Sequence, residues 1–324
     1  MINKNSKIFI AGHKGLVGSA LHLKLKREGF KNILVKKRQE LDLTNQAKVN
    51  LFFKKNKIEY LIICAAKVGG IMSNLTFPTE FIYENLMIQT NLLKAALDFK
   101  VKKTIFLGTS CIYPKFSKTP IKENYLLSGD LEKTNEAYAI AKISGIKLAE
   151  AMYKQFGFKV ICLMPTNLYG GKDNFDEFNS HVIPGIFTKI LKAIKNKKKK
   201  VKLWGSGKPK REFLFVDDLA NAIFHILKLH DKKLLNISKG FPIFNVGSGE
   251  EISIKDLSNK IKKICKFDGK IFFDKNFPDG TYRKNLDSTK IKKTGWKPII
   301  KLNQGLNKVL KNYNYKNKWF FQFT

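Results

Sequence analysis

The segment KIFIAGHKGLVGSA, residues 7–20, decides the fold. Residues 7–11 form a short apolar run suited to a buried strand. Glycines follow at 12, 15 and 18, and from Gly15 to about Glu28 the apolar residues recur with helical spacing. In a strand–turn–helix unit of this kind, Gly12 permits the tight turn and Gly15 lets the backbone approach a pyrophosphate. Gly18 lets the helix pack close to the sheet. The helix start offers free N–H groups and the positive end of its dipole. The loop residues Gly12, His13, Lys14, Gly15, Leu16, Val17 and Gly18 are therefore candidates for binding a dinucleotide.

Outward from this unit, strand and helix alternate. Strands are predicted at 32–35, 60–65, 104–107 and 159–164, with helices at 47–56, 78–99 and 135–156 between them. Apolar strands separated by helices imply an α/β fold, a doubly wound parallel sheet of Rossmann type. Beyond residue 165 the loops lengthen. Helices are expected at 181–195, 216–229, 254–265 and 302–313, with short strands at 202–204, 244–246 and 271–273. The expected division is a nucleotide-binding domain at 1–170, with a segment near 215–248 returning to it, and a smaller α/β substrate-binding domain over most of 171–324. Ligands of open parallel sheets lie beyond the C-terminal strand ends.

The second strand addresses which nucleotide is bound. An Asp or Glu at its end would suit the ribose hydroxyls of NAD. Here it runs into Lys36, Lys37 and Arg38. A cationic cluster favours the additional 2′-phosphate of NADP(H), and Arg38 is the best single residue for that contact.

The chain has 61 Lys+Arg against 26 Asp+Glu, a formal charge of +35. The densest run, residues 195–202, holds six lysines and no aromatic residue. Grooves for nucleic acid combine charge with stacking platforms, so the run reads as solvated surface and no nucleic-acid partner is expected. Cysteines stand at 64, 111, 162 and 265, without C-x-x-C pairing or metal-ligand spacing. No metal site or disulfide framework is expected. The chain enters a strand at residue 7, and no stretch reaches the length of a membrane span. A reducing cytoplasm without a membrane partner is the expected setting.

Tyr138 and Lys142 are four apart at the start of a helix and share one face. A neighbouring ammonium favours phenolate, so the Tyr138 pKa is expected to fall towards useful acid–base range. The strand ending at Leu107 leads into Gly108, Thr109, Ser110 and Cys111, which places hydroxyls where a substrate would lie. Thr109 could bond a carbonyl oxygen as it becomes an alkoxide. If the segment is extended, Thr109 and Cys111 point the same way and Ser110 elsewhere.

The glycine loop, the hydroxyl after a later strand and the Tyr-x-x-x-Lys pair resemble the extended short-chain dehydrogenases/reductases. Longer blocks resemble the GDP-L-fucose synthases within that group: AGHKGLVGSA at 11–20, AAKVGGI at 65–71, GTSCIYPK at 108–115 and TNEAYAIAKISGIK at 134–147. Further blocks are MPTNLYG at 164–170, NSHVIP at 179–184, LWGSGKPKREFLFV at 203–216 and PDGTYRK at 278–284. The resemblance spans nearly the whole chain. It implies NADPH-dependent 3,5-epimerisation and 4-reduction of GDP-4-dehydro-6-deoxy-mannose, giving GDP-L-fucose. Inverting a carbon beside a ketone needs a base on one face and an acid on the other. The resemblance gives these roles to Cys111 and His181. It makes Tyr138 the proton donor to the C4 oxygen, and Lys142 the holder of the nicotinamide ribose.

By the same resemblance, Thr109 carries the hydroxyl that relatives often supply from Ser. Leu107, Gly108, Thr109, Ser110, Lys142, Pro165, Thr166, Asn167, Leu168 and His181 line the cofactor. Lys189, Trp204, Arg211 and Asp279 meet the GDP-sugar. Lys189 stands where relatives have Arg, keeping the charge but losing the guanidinium fork. The family is homodimeric, and the helices near 78–99 and 135–156 could pair with their mates. A 4,6-dehydratase would carry an acidic pair after the Thr, where this chain has Ser110 and Cys111. A simple 4-epimerase would leave Cys111 and His181 unexplained. A non-catalytic NADP-binding protein would not need Thr109, Tyr138 and Lys142 together.

Overall fold

The computed structural model describes residues 2–176, 180–277 and 279–317. The motif positions Asn179 and Pro278 lie outside the described residues. The chain order of strands is β1 (Ile8–Ala11), β2 (Ile33–Leu34), β3 (Tyr60–Ile63), β4 (Lys103–Leu107), β5 (Val160–Pro165), β6 (Asn167–Tyr169), β7 (Lys200–Trp204), β8 (Lys210–Phe215), β9 (Ile243–Val246), β10 (Glu251–Ser253), β11 (Lys270–Asp274) and β12 (Arg283–Lys284).

Six of these form one sheet in the order β2-β1-β3-β4-β5-β9, and every pairing in it is parallel. The chain moves outward from β1 to β2, then crosses back to β3. That reversal opens a crevice at the C-terminal ends of β1 and β3.

The strands alternate between two cores. Phe9, Leu61, Ile63 and Phe106 pack on one face, with helices Gln46–Asn56, Pro78–Asp98 and Glu136–Phe156. Ile8, Ile10, Ile62 and Ile105 pack on the other, with helices Leu16–Arg27 and Val216–Lys228. Burial on both faces explains why these strands read as unbroken apolar runs. At the sheet edge β9 pairs with β5.

A third core holds the remaining elements. Ile183, Phe187 and Ile190 of helix Val182–Lys195 pack with Val201, Leu203, Leu257, Ile261 and Leu306. Here β8 pairs with β6, β10 and β12, while β7 and β11 form a separate parallel pair. The lysine-rich run acquires order from β7. Lys200 and Lys202 face solvent while Val201 and Leu203 are buried. Lys199 pairs with Asp268 at 2.6 Å and Lys202 with Asp274 at 3.0 Å.

Several elements lie outside the expected set: β6, β8, β10, β12 and the helices Ile71–Thr76, Asp231–Ser238 and Thr289–Lys293. Most are short, and their partners are far away in sequence.

Glu212 on β8 ties this third core to the large sheet. It is fully buried, and its two carboxylate oxygens accept the backbone N–H groups of Gly249 at 2.7 Å and Leu286 at 2.8 Å. Burial raises its pKa, and those two N–H groups oppose the rise. Its own carbonyl accepts from Thr166 Oγ1 and Asn167 Nδ2. Glu212→Gln turns one acceptor into a donor facing an N–H. The expected loss is about 2 kcal/mol of unfolding free energy, read by urea titration; unchanged stability would contradict this bracing role.

Candidate active site

The glycine loop is held by backbone contact. Gly12 has φ +87°, and a Cβ there would stand 2.6 Å from the Ala65 backbone nitrogen. A Cβ on Gly18 would collide with the Gly12 carbonyl oxygen. Gly15 differs: its φ is an ordinary −69°, and a Cβ would meet only the Gly12 oxygen, at 3.5 Å. Protein packing therefore requires glycine at 12 and 18. At 15 it leaves room on the cleft side, at the N-cap of helix Leu16–Arg27.

Gly12 and Gly15 line a cavity of about 290 Å³ together with Lys36, Arg38, Asp42, Cys64, Ala65 and Lys67. This is the crevice between β1 and β3. Arg38 is largely exposed and reaches Glu84 at 3.3 Å, while Lys67 bonds the same carboxylate at 2.7 Å. Burial pushes the Cys64 thiol up to about 12. Of the remaining loop residues, His13 packs edge-on against His22 and its pKa is lowered, chiefly by burial.

The strand end at Leu107 builds the next part. Gly108 packs against Met164, leaving no space for a side chain. Thr109 then caps a 3-10 turn, Ser110–Ile112, by accepting from the Cys111 N–H at 3.2 Å. The segment expected to be extended is thus a turn after Thr109. Ser110 is buried, while Cys111 is only half-buried.

The Thr109 hydroxyl also lies beside the Tyr138 phenol and lowers its pKa. Two residues from the turn after β4 and one from helix Glu136–Phe156 therefore meet. Lys142 lies one turn further on, 3 % exposed, with Nζ donating to the Leu107 carbonyl at 2.9 Å. Burial pushes its ammonium down to about 8. The Tyr138 phenol behaves opposite to expectation. Burial first, and then the neighbouring Cys111, raises its pKa, while the Thr109 hydrogen bond lowers it. Desolvation outweighs any help from Lys142, whose ammonium is turned to a carbonyl. The phenol is consequently held neutral, the state of a proton donor.

Two groups not singled out from sequence approach the Cys111 sulfur: Asn135 Nδ2 at 3.4 Å and Lys284 Nζ at 3.7 Å. Both lie inside the quoted blocks, yet nothing local assigns them a role. Lys284 is placed by β12, which follows a long excursion of the chain. The pairing of β12 with β8 sets Lys284 beside Arg211. Burial lowers the Arg211 pKa, and Cys111, Asp279, Glu132 and Glu251 oppose that.

Pro165 ends β5, and Leu168 lies in β6. Thr166 and Asn167 spend their side-chain donors on the Glu212 carbonyl. His181 is the N-cap of helix Val182–Lys195 rather than its first residue, and its side chain is 45 % exposed. Its Nδ1 stands 3.4 Å from Asp173 Oδ1. That contact raises its pKa against the effect of burial. Among the described residues no hydrogen bond joins His181 to the Thr109–Cys111–Tyr138 group.

On the third core, Trp204 carries Phe277 stacked at 4.7 Å and the Lys189 ammonium at 4.4 Å. Asp279 accepts from Ser206 N at 2.6 Å and Ser206 Oγ at 2.7 Å, which ties its loop to the turn after β7. Arg211, close to both Asp279 and Cys111, links this region to the thiol.

A model of the NAD-dependent epimerase/dehydratase family matches residues 8–247. The chain belongs to this family. It is 48 % identical to GDP-L-fucose synthase 1 of Arabidopsis thaliana over 307 residues, covering 95 % of this chain and 93 % of that relative. It is 46 % identical to GDP-L-fucose synthase of Escherichia coli K12, covering 93 % and 94 %. Among solved structures, GDP-mannoheptose C4 reductase from Campylobacter jejuni with NADP bound superimposes with a TM-score of 0.86 at 36 % identity, covering 97 % and 100 %.

Asp173→Asn removes the charge that favours the imidazolium. The His181 pKa is then expected to fall, so the ring loses its proton at lower pH. NMR titration of the imidazole checks this; an unmoved titration would exclude Asp173 as the cause.

Proposed function

We propose that this chain converts GDP-4-dehydro-6-deoxy-α-D-mannose to GDP-β-L-fucose with NADPH, by 3,5-epimerisation followed by reduction of the C4 ketone. The observation that carries the reading is the meeting of Thr109, Cys111 and Tyr138 at the end of β4. A hydroxyl, a thiol and a neutral phenol there offer a carbonyl clamp, a carbon base and a proton donor within one turn of each other.

The residues fit NADP(H). The free space beside Gly15 adjoins the start of helix Leu16–Arg27, where N–H groups favour phosphate. Lys36 and Arg38 line the same cavity and suit a 2′-phosphate. Lys142 would hold the nicotinamide ribose, with Pro165 to Leu168 alongside. The cofactor, when bound, supplies hydride to C4.

Cys111 takes the proton from a carbon flanking the ketone. Thr109 stabilises the oxygen as charge moves onto it. His181, whose pKa the Asp173 carboxylate raises, returns a proton on the opposite side. After inversion at C3 and C5, Tyr138 donates to the C4 oxygen. Lys189, Trp204, Arg211 and Asp279 would hold the GDP-sugar, the two cations answering its pyrophosphate.

The helices Pro78–Asp98 and Glu136–Phe156 pack against each other and leave Tyr83, Ile140 and Phe156 exposed. These apolar residues support a homodimer through the two helices. The four cysteines are all free, which suits a reducing cytoplasm. No helix among the described residues is long and apolar enough to cross a membrane.

The test is one assay with GDP-4-dehydro-6-deoxy-mannose and either NADPH or NADH, with NMR of the sugar formed. L-fuco configuration, with NADPH preferred, is the expected result. A product reduced at C4 but unchanged at C3 and C5 would reduce the enzyme to a C4 reductase. Cys111→Ser is expected to cut formation of the L-sugar about 100-fold or more while cofactor affinity persists; normal turnover in that variant would remove Cys111 from the reaction.

A further inference from the structure

We propose that Lys284 is the positioning residue that keeps Cys111 in its thiolate form for proton abstraction; the claim rests on the epimerase reading of Cys111 given above. Lys284 lies on β12 and is 8 % exposed. Its ammonium approaches the Cys111 sulfur at 3.7 Å. A buried ammonium ordinarily lies against a carboxylate. Among the described residues Lys284 has no such ion pair. The acids around the adjoining Arg211 are committed elsewhere: Glu132 to Lys115 at 3.2 Å, and Glu251 to Arg283 at 2.9 Å. Asp279 is committed to Ser206. The sulfur is therefore the side-chain acceptor available to this cation.

The charged and titratable groups facing Cys111 come from three directions. Lys284 arrives from β12 and Arg211 from β8, while Tyr138 arrives from helix Glu136–Phe156. Asn135 adds a neutral donor at 3.4 Å. Tyr138 is held neutral by burial, which leaves the cations Lys284 and Arg211 as the charged groups named beside the sulfur. The thiolate is the reactive form of cysteine, and a nearby cation increases its population at a given pH.

The proton balance follows. The C–H bond beside the ketone breaks, an S–H bond forms on Cys111, and the electron pair enters the enolate. The imidazolium of His181 gives its N–H proton to form the new C–H bond. The thiol then returns its proton to solvent and the imidazole regains one. Lys284 keeps its proton throughout. It acts by charge on the sulfur and is a positioning residue.

The test uses the full chain without substrate. Iodoacetamide labelling of Cys111 is followed by mass spectrometry across the pH range, and Cys162 and Cys265, which are buried, report folding by staying unlabelled. Lys284→Met and Lys284→Gln are expected to raise the labelling midpoint of Cys111 by about one pH unit or more, and Lys284→Arg to restore most of it. If one neutral variant does not fold, the other carries the comparison. Midpoints that coincide with wild type, or move down, would overturn the assignment. Deuterium uptake at C3 and C5 of the GDP-sugar is expected to show the same displacement. A wild-type enzyme without such uptake, but with the labelling shift intact, would sink the epimerase reading and leave the ammonium–sulfur coupling standing.

Discussion

The hydroxyl of Thr109 joins the end of β4 to helix Glu136–Phe156. It accepts the Cys111 N–H at 3.2 Å and lies beside the Tyr138 phenol, whose pKa it lowers. One oxygen thus caps the turn that carries the thiol and meets the phenol. The contact depends on β4 lying at the centre of a sheet buried on both faces. Without that support the strand end would be free to shift, and the three groups would lose their common geometry.

Burial does the rest of the electrostatic work. A phenol beside an ammonium would become more acidic in water. Here desolvation keeps the phenol neutral, and the Lys142 ammonium is pushed down to about 8 while it donates to the Leu107 carbonyl. The site therefore has a proton to give at Tyr138. The third core closes the arrangement from the far side of the chain, since β8 and β12 deliver Arg211 and Lys284 towards the sulfur. Glu212 holds those strands to the large sheet through backbone N–H groups.

The parallel sheet was legible because its signals are local. The apolar run at 7–11, the glycines behind it and the helical spacing after Gly15 lie within one short segment. The turn at Ser110–Ile112 was not, because Thr109 decides it through a side-chain cap that composition does not display. The direction of the Tyr138 shift was also illegible: the spacing to Lys142 gives a shared helix face, whereas desolvation depends on the whole fold. Glu212, Asn135 and Lys284 escaped for the same reason. Their partners stand 24 to 173 residues away.

The central claim is that one cleft performs two separable proton tasks on a single ketone, with Tyr138 serving reduction alone. The most direct measurement is Tyr138→Phe with GDP-4-dehydro-6-deoxy-mannose and NADPH in deuterium oxide. Deuterium should enter C3 and C5 while NADPH consumption falls by about 100-fold or more. Undiminished NADPH oxidation, or loss of deuterium uptake together with reduction in a folded variant, would contradict that division of labour.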